Sequence, residues 1–192
     1  MDLWEKECLQ AVKRFTQIGH PVVAAIDGRC GSGKTRLGEM LKQKFSCNLV
    51  HMDDFYLPLS EREQDWKRKP GGNMDFLRFR KEILEPSCAG LPIVYRTFDC
   101  HANTYCKQIA MPACPLTIVE GSYSHHPMLA DCYTLRIFLT CSKEEQLRRL
   151  RQREGERLEW FQSLWIPLEE QYFERFGIEA ASNMVFDTTG RE

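Results

Sequence analysis

Short apolar runs alternate along this sequence with segments in which apolar residues recur at helical spacing. The helical segments are residues 3–18, 37–45, 76–84 and most of 143–178. The short runs predict buried strands at residues 22–27, 49–53, 115–120, 135–140 and 183–187. Because strands that alternate with helices form parallel sheets covered on both faces, the pattern predicts an α/β, three-layer sandwich with a five-stranded, mostly parallel sheet.

Three details refine this outline. We expect Asn73 to cap the helix that follows it, because asparagine is favoured at that position, and residues 92–95 to belong to a short hairpin. A dense apolar set towards the C-terminal end predicts the core-facing stripe of a helix broken at Pro167, with a homodimer surface as the alternative. Its members are Trp160, Phe161, Leu164, Trp165, Ile166, Leu168, Tyr172, Phe173 and Phe176.

The size and charge of the chain exclude several classes of protein. Its 192 residues suit a single domain, residues 1–192. The 26 basic and 27 acidic residues give a net charge of −1. That balance excludes a globally basic nucleic-acid binder and argues against a protein held at a membrane surface by charge. We therefore expect neither a nucleic acid nor a membrane as partner.

Cysteine usage indicates the compartment. The nine cysteines are scattered without a C-x-x-C pair, and their odd number leaves one unpaired in any complete disulfide scheme. Such usage favours a reducing environment. The first residues lack the apolar core of a secretion signal, and no apolar run approaches the roughly 18 residues of a membrane span. We expect a soluble cytoplasmic protein.

The segment Gly28-Arg29-Cys30-Gly31-Ser32-Gly33-Lys34-Thr35 matches the pattern G-x-x-x-x-G-K-[ST] at every fixed position. It follows a predicted strand and opens a predicted helix, where backbone N–H groups and the helix N-terminus can bind phosphate; a plain glycine-rich turn is the alternative. Lys34 is expected to reach the β- and γ-phosphates and Thr35 to bind Mg²⁺. The predicted nucleotide-binding residues are Gly28, Gly31, Ser32, Gly33, Lys34, Thr35 and Arg36, whereas Arg29 and Cys30 occupy free positions and receive no role.

Missing motifs narrow the class of P-loop protein. The guanine-reading N-K-x-D and the transporter signature L-S-G-G-Q are both absent from the sequence. Residues 187–190 spell the D-x-x-G of a GTPase switch, but only two residues follow them, so we do not count this match. A kinase of small molecules is the class that remains.

Acidic residues end two of the predicted strands. Ligands of open α/β sheets bind at the carboxyl ends of the strands, so an aspartate there could accept the proton of a substrate hydroxyl during phosphoryl transfer. Asp53 and Asp54 end the second strand and are expected to point to opposite faces, so that one of them serves. Glu120 ends the third strand and could hold Mg²⁺ directly or through water. The alternative for all three is a turn, a cap or a solvated strand end.

In order along the chain, these motifs resemble those of the uridine kinase-like family of P-loop kinases, which includes pantothenate kinase and phosphoribulokinase relatives. The segment Met52-Asp53-Asp54-Phe55-Tyr56 is similar to the D-S-F-Y of uridine kinases. Gly72-Asn73-Met74-Asp75-Phe76 is similar to their G-N-x-D-F, and Val119-Glu120-Gly121 to their F-E-G. The arginine-rich stretch 148–157 resembles their lid, so the likeness extends over most of the chain.

The resemblance implies a P-loop NTPase fold with an arginine-rich helical lid at about residues 143–158, and a kinase that uses ATP and Mg²⁺ to phosphorylate a small molecule. It implies that Asp53 is the catalytic base. It also implies that the acceptor is contacted by Asp53, Asp75 and Tyr95. Glu120 and Thr35 would be at the metal. The implied catalytic set is Asp53, Lys34, Arg149 and Arg153, with Arg157 a less close match to the lid arginines.

One departure from the family pattern concerns the substrate. Uridine kinases carry an acid after the tyrosine of a Y-D-F-x-x-H segment, whereas this chain has Arg96 after Tyr95. An arginine in the acceptor site suggests a carboxylate or phosphate on the substrate. The acceptor could be a nucleoside, as in uridine kinases, a vitamin-like alcohol such as pantothenate, or a sugar. A non-catalytic, ATP-binding switch is the alternative from another class.

Other features have simpler interpretations. The arginine-rich stretch could be a solvated helix face with i,i+4 ion pairs; as a lid, it would have Gly155 as a hinge. Cys100, His101 and Cys106 lack the ligand spacing of a zinc site. His125 and His126 are expected to be solvated loop histidines, with a lid or substrate contact as the alternative.

Overall fold

The computed structural model of the protein describes residues 2–100 and 102–191. Its strands are β1 (Val22–Gly28), β2 (Asn48–His51), β3 (Ile93–Asp99), β4 (Thr104–Met111), β5 (Leu116–Glu120), β6 (Leu135–Thr140) and β7 (Met184–Asp187). Its α-helices are α1 (Leu3–Thr16), α2 (Lys34–Lys44), α3 (Phe76–Phe79), α4 (Glu85–Cys88), α5 (Lys143–Glu154), α6 (Leu158–Trp160) and α7 (Ile166–Phe176). Among the described residues, no helix is both long and apolar enough to cross a membrane.

A five-stranded sheet in the order β2-β5-β1-β6-β7 forms the middle layer. Every neighbouring pair in it is parallel, so the carboxyl ends of its strands lie at one edge. β1 lies at the centre of this order and is buried along its whole length. The sequence prediction of a five-stranded parallel sheet is confirmed, and the turn after β1 emerges at the middle of the ligand-binding edge.

Two apolar clusters cover the two faces of the sheet. Alternate residues of β1 point to opposite faces because side chains of a strand alternate. Val22 and Ala24 pack in a cluster that includes residues of α1 and α2. Val23 packs in the other cluster, with residues of α3 and α7. The molecule is therefore the three-layer α/β sandwich that the sequence predicts.

β3 and β4 form an antiparallel hairpin outside the central sheet, with a register shift between Arg96 and Phe98. Ile93 and Tyr95 are buried in the second cluster, whereas Val94 and Arg96 face outwards. The hairpin predicted at residues 92–95 is therefore present and longer than expected. Its inner face packs against the turn that follows β2.

The second strand is shorter than its sequence pattern predicts. β2 ends at His51, and Met52–Phe55 form a 3₁₀ turn. Met52 and Phe55 are buried and fix this turn in the core. The expectation that Asp53 and Asp54 alternate across a strand is wrong, because both lie within the turn between those two apolar anchors.

The helical stretch after this turn begins at Phe76 and continues through a π-helical turn, Arg80–Leu84, into α4. Asp75 caps it: its carboxylate accepts a hydrogen bond from the Arg78 N–H at 3.0 Å. The prediction of Asn73 as the cap is wrong. The backbone beside Asn73 instead pairs with the preceding segment, through an isolated bridge between Tyr56 and Met74.

Helical structure runs from α5 to α7 through a 3₁₀ turn, Gly155–Arg157, and a π-helical turn, Phe161–Trp165. Pro167 does not break the last helix, as the sequence suggested. It lies in the first turn of α7, directly after the π-helical turn Phe161–Trp165, and the backbone stays helical through this junction. The apolar set divides: Leu168, Tyr172 and Phe173 are buried, whereas Trp160 is exposed.

Candidate active site

The turn between β1 and α2 has the backbone geometry of a phosphate cradle. Gly28 has a φ of +136°, and a Cβ atom there would collide with the backbone of Leu139. Gly33 has a φ of +99°, with open space where its side chain would be. Gly33 is also the N-cap of α2 and supplies no capping side chain. The first N–H groups of α2 are therefore open to an anion.

Two side chains of this loop complete the cradle. The Lys34 ammonium donates hydrogen bonds to the carbonyls of Gly28 at 2.6 Å and Arg29 at 3.1 Å, which holds it inside the loop. The Ser32 hydroxyl oxygen is buried and has no hydrogen-bond partner among the described residues. A buried hydroxyl without a partner is costly unless a ligand satisfies it. The loop thus fits a bound phosphate.

Thr35 and Glu120 meet where the carboxyl end of β5 lies beside the start of α2. The Thr35 hydroxyl lies 3.2 Å from each oxygen of the Glu120 carboxylate. His51 Nδ1 lies 2.5 Å from Oε1 of the same carboxylate, and this hydrogen bond raises the pKa of His51 above its ordinary value. Glu120 is almost fully buried, so its charge is held in place by these two neighbours.

This donor set fits Mg²⁺. The ion takes oxygen ligands and is usually bound by one or two protein groups together with phosphate oxygens and water. A hydroxyl and a carboxylate at the edge of the phosphate cradle supply such a pair. No cluster of three or more His, Cys, Asp and Glu residues that could hold a metal by itself occurs in residues 2–100 and 102–191. The predicted ligands Thr35 and Glu120 are brought together.

Asp53 is exposed in the turn that follows β2, at the same edge of the sheet. The Tyr56 O–H donates a hydrogen bond to its Oδ1 at 3.0 Å. Surrounding protein atoms raise the pKa of the Asp53 carboxyl, although the hydrogen bond from Tyr56 lowers it. The charges of Lys34 and His51 also act on this carboxyl and lower its pKa. Asp53 is therefore accessible to solvent, and its carboxylate is held by Tyr56.

Asp54 is fixed to the hairpin instead. The Tyr95 O–H donates to Asp54 Oδ2 at 3.1 Å. Partial burial raises the pKa of the Asp54 carboxyl. Tyr95 is 4% exposed and stacks on Phe55, with ring centroids 5.2 Å apart. The structure therefore places the predicted acceptor residue Tyr95 against Asp54, next to the turn that carries Asp53.

Arg96 lies on the other face of the hairpin from Tyr95. Its side chain is exposed, with the guanidinium carbon 4.6 Å from the ring centre of Tyr105. The strand alternates sides at every residue, which separates these two neighbours. The structure therefore does not bring Arg96 together with Tyr95.

The carboxylate of Asp75 forms its contacts with the helix that it caps. Besides capping α3, its carboxylate lies 3.4 Å from Nε of Arg78. Arg78 also donates to the carbonyls of Asp54 and Arg96, each at 3.0 Å, and its guanidinium lies over the ring of Phe55. Sequence reasoning missed Arg78. The signal was the spacing Asp75-x-x-Arg78, which is typical of a capping aspartate with an ion pair.

The predicted lid arginines lie at different distances from the P-loop. Arg149 donates to the carbonyls of Gly31 at 3.1 Å and Thr188 at 2.7 Å, so it joins the P-loop to the segment after β7. Arg153 and Arg157 both pair with Glu154, and both are more than half exposed. Of the three, Arg149 is fixed against the P-loop, whereas Arg153 lies at the end of α5 and Arg157 in the 3₁₀ turn that follows it.

An open groove runs beside the P-loop. Arg36, predicted as a nucleotide contact, lines it and pairs with Glu5 at 2.9 Å. The groove lies next to the phosphate cradle. Its walls also include Trp4, Gly31, Ser32, Gly33, Arg149, Gln152, Thr188 and Arg191.

The two free positions of the P-loop motif have structural partners that the sequence did not indicate. Arg29 forms two hydrogen bonds with the carboxylate of Glu170, at 2.7 and 2.9 Å. The backbone N–H of Cys30 donates to Oε2 of Glu169 at 2.9 Å. Its carbonyl accepts a hydrogen bond from Gln146 Nε2 at 3.0 Å. Cys30 of the P-loop is therefore held by two helices: α7 binds its N–H group and α5 binds its carbonyl.

The prediction that His125 is a solvated loop histidine is wrong. His125 is 2% exposed, and its backbone N–H donates to the buried carboxylate of Asp27, which immediately precedes the P-loop. The Tyr172 O–H donates to the same carboxylate at 2.8 Å. His126 is partly buried and stacks on Phe76, and burial lowers its pKa to about 4.

The sequence also places three potential metal ligands near one another, Cys100, His101 and Cys106. His101 lies outside the described residues. Cys100 and Cys106 are both exposed free thiols. Nothing among the described residues groups them into a metal site.

Comparisons with known proteins agree on the fold. No protein-family model and no curated protein matches the sequence. Among solved structures, a possible uridine kinase from Bacillus stearothermophilus has a TM-score of 0.71 at 15% identity, covering 95% of this chain and 98% of that one. A candidate fructose transport system kinase from Silicibacter sp. TM1040 has a TM-score of 0.65 at 19% identity, covering 95% and 98%.

A third neighbour is a candidate P-loop kinase with a circular permutation from Saccharomyces cerevisiae, with a TM-score of 0.56 at 12% identity, covering 98% of each chain. Likeness at these identities establishes the fold. The chain shares the three-layer α/β fold of these kinase-like structures, which is the fold that the motifs predicted.

Proposed function

We propose that the protein is an ATP- and Mg²⁺-dependent phosphotransferase that moves the γ-phosphoryl group of ATP to a hydroxyl of a small metabolite. One observation carries the proposal. Asp53 is exposed in the turn that follows β2, and His51 at the end of β2 is hydrogen-bonded to Glu120, whose carboxylate lies against Thr35 of the P-loop. An acceptor hydroxyl beside Asp53 would therefore be close to the transferable phosphate.

Each residue of the site has a role that its contacts support. The N–H groups of the P-loop and Lys34 would hold the phosphates, and Thr35 and Glu120 would hold the metal. Mg–ATP supplies the activated phosphoryl group and the metal charge that offsets its negative charge. Asp53 would orient the acceptor hydroxyl and take its proton, and the Tyr56 O–H would fix the carboxylate for this purpose.

Further cations are needed to stabilise the negative charge on the transferring phosphoryl group. We propose that Arg149, already fixed against Gly31, helps to hold the nucleotide. Arg153 lies one turn beyond Arg149 on α5, and its side chain is more than half exposed. Rotation of this side chain away from Glu154 would bring its charge over the triphosphate, where it would stabilise the transition state.

The proposed acceptor is a nucleoside or a similar hydroxyl-bearing metabolite. The neighbours described as a possible uridine kinase and a candidate fructose transport system kinase support an acceptor of this size. All nine cysteines are free, which supports a reducing, cytoplasmic location. The proposal also includes pantothenate- and sugar-type acceptors, because the carboxylates and tyrosines near Asp53 could form hydrogen bonds with the hydroxyl groups of any of them.

The test is ADP formation from Mg–ATP with a panel of nucleosides, pantothenate, sugars and sugar phosphates. The proposal predicts ADP that depends on one class of acceptor and disappears in Asp53→Asn while ATP binding persists. Acceptor-independent turnover, or ATP binding that no acceptor ever converts to turnover, would support a nucleotide-binding switch instead.

A further inference from the structure

Arg62 is held in a defined orientation beside the acceptor cleft. Its Nε donates to the carbonyl of Leu57 at 2.8 Å, and its guanidinium carbon lies 4.7 Å from the ring centre of Trp66. These contacts use one edge and one face of the guanidinium. Its two terminal nitrogens make no hydrogen bond and no ion pair with any residue of 2–100 or 102–191. They are free to bind a ligand.

The surroundings of Arg62 make this free charge costly. Partial burial lowers the pKa of Arg62, and no carboxylate in the described part of the chain forms an ion pair with it. Arg29 and Arg80 differ, because hydrogen-bonded carboxylates of Glu170 and Asp131 hold their pKa values above the ordinary value. A partly desolvated cation without a counter-ion binds an anion more strongly than a fully hydrated one.

Arg62 and Asp53 are linked through one short segment, Tyr56 and Leu57. Arg62 Nε donates to the carbonyl of Leu57, and the neighbouring Tyr56 donates its O–H to Asp53. Burial raises the pKa of the Cys100 thiol to about 11, and among the smaller effects Arg62 lowers it and Asp53 raises it. Two consecutive residues thus contact the proposed base and the guanidinium. An acceptor with its hydroxyl at Asp53 would extend towards Arg62.

Of the other cations in this region, Arg78 and Lys34 are held by ion pairs or hydrogen bonds, and Arg96 lies on the outer face of the hairpin. Arg78 pairs with Asp75 and Glu82. Arg96 lies over Tyr105 on the outer face of the hairpin. Lys34 is held within the phosphate cradle.

We infer that Arg62 is the anion-binding residue of the acceptor subsite, and that the acceptor carries a carboxylate or a phosphate in addition to the hydroxyl that is phosphorylated. This inference rests on the proposed function for the identity of the acceptor. The anion site itself does not depend on turnover and can be tested separately. The sequence suggested that Arg96 binds an anionic group of the substrate. We assign that role to Arg62 instead.

The first test uses matched acceptors that differ in the anion alone: pantothenate and panthenol, ribose 5-phosphate and ribose, uridine 5′-monophosphate and uridine. In at least one pair, the anionic member should have a kcat/KM about tenfold or more above that of the neutral member. Arg62→Gln should abolish this preference, Arg62→Lys should keep part of it, and Arg96→Gln should not change it. The pair that responds distinguishes carboxylate from phosphate.

The second test needs no catalysis. Cys100 is exposed, so its alkylation by the anion iodoacetate and by neutral iodoacetamide can be followed by mass spectrometry, with the exposed Cys106 as an internal reference. The ratio of the two rates at Cys100 should fall several-fold in Arg62→Gln, while the ratio at Cys106 should not change.

The outcomes separate the two proposals. If wild type prefers the neutral acceptors, or if Arg62→Gln leaves both the preference and the alkylation ratio unchanged, the anion subsite is wrong. If no acceptor supports turnover but the alkylation ratio falls in Arg62→Gln, the anion site stands and the kinase proposal fails.

Discussion

The carboxylate of Glu169 accepts a hydrogen bond from the backbone N–H of Cys30 at 2.9 Å, inside the P-loop. Its other oxygen accepts one from the Ser122 hydroxyl, which follows Glu120 by two residues. A single buried side chain of α7 therefore links the phosphate cradle to the loop that carries the candidate metal ligand. The geometry of both depends on this carboxylate.

Replacing Glu169 should weaken nucleotide binding. In Glu169→Gln, the amide can satisfy only one of the two donors in the same orientation, so the Cys30 segment loses a fixed position. We expect the Kd for Mg–ATP, measured by calorimetry, to rise about tenfold. Glu159→Gln, on an exposed position of α6, is the control and should bind ATP as wild type does. Equal affinity in the two variants would show that α7 does not position the P-loop.

The elements that could be predicted from sequence are those that local pattern determines. The apolar runs of β1, β5 and β6 are buried on both faces, so continuous hydrophobicity was sufficient to find them. The P-loop was predictable because its glycines and lysine act within one turn. Thr35 and Glu120 could be paired because parallel strands end at the same edge of the sheet.

What the sequence could not show depends on distant contacts. Arg29 and Glu170 are separated by 141 positions, and no local spacing joins them. His125 follows two serines and a tyrosine, which suggests a polar loop. Its backbone N–H instead donates to the buried Asp27 carboxylate, so the residue lies in the core. Arg62 lies in a polar segment, where its contacts with Leu57 and Trp66 distinguish it from a solvated arginine.

Replacing the candidate metal ligand should change the Mg²⁺ requirement. Glu120→Gln removes the negative charge next to Thr35 while preserving the shape of the side chain. We expect the Mg²⁺ concentration for half-maximal ADP formation to rise about tenfold or more, since hard cations bind carboxylates far better than amides. Removing Mg²⁺ with a chelator should abolish activity in wild type. An unchanged Mg²⁺ titration in the variant would exclude Glu120 from the metal site.

The pair of His51 and Glu120 should make stability depend on pH. The hydrogen bond with Glu120 raises the pKa of His51 above the ordinary 6.5. The stabilisation is therefore complete below pH 6.5 and is lost as the pH rises through the higher pKa of the folded state. We expect the Tm of wild type to fall relative to that of His51→Gln between about pH 6 and about pH 8. Parallel Tm curves would contradict the pair.

The buried carboxylate of Asp27 offers a test of the fold beneath the site. Tyr172→Phe removes the O–H that donates to Asp27 at 2.8 Å and should cost about 1–3 kcal/mol of unfolding free energy in urea. The hydroxyl of Tyr133 is buried without a hydrogen-bond partner among the described residues, so Tyr133→Phe is the matched control and should be neutral or stabilising. Equal losses in the two variants would contradict this account of Asp27.

The central claim is that Asp53 takes the proton of an acceptor hydroxyl. The measurement is the rate of phosphoryl transfer to the best acceptor in Asp53→Asn and in Asp54→Asn, with ATP affinity determined for both. We predict a loss of about 10²–10⁴-fold in kcat for Asp53→Asn, with ATP affinity retained, and a much smaller loss for the hairpin-bound Asp54. Full transfer by Asp53→Asn, or equal losses in the two variants, would contradict the account.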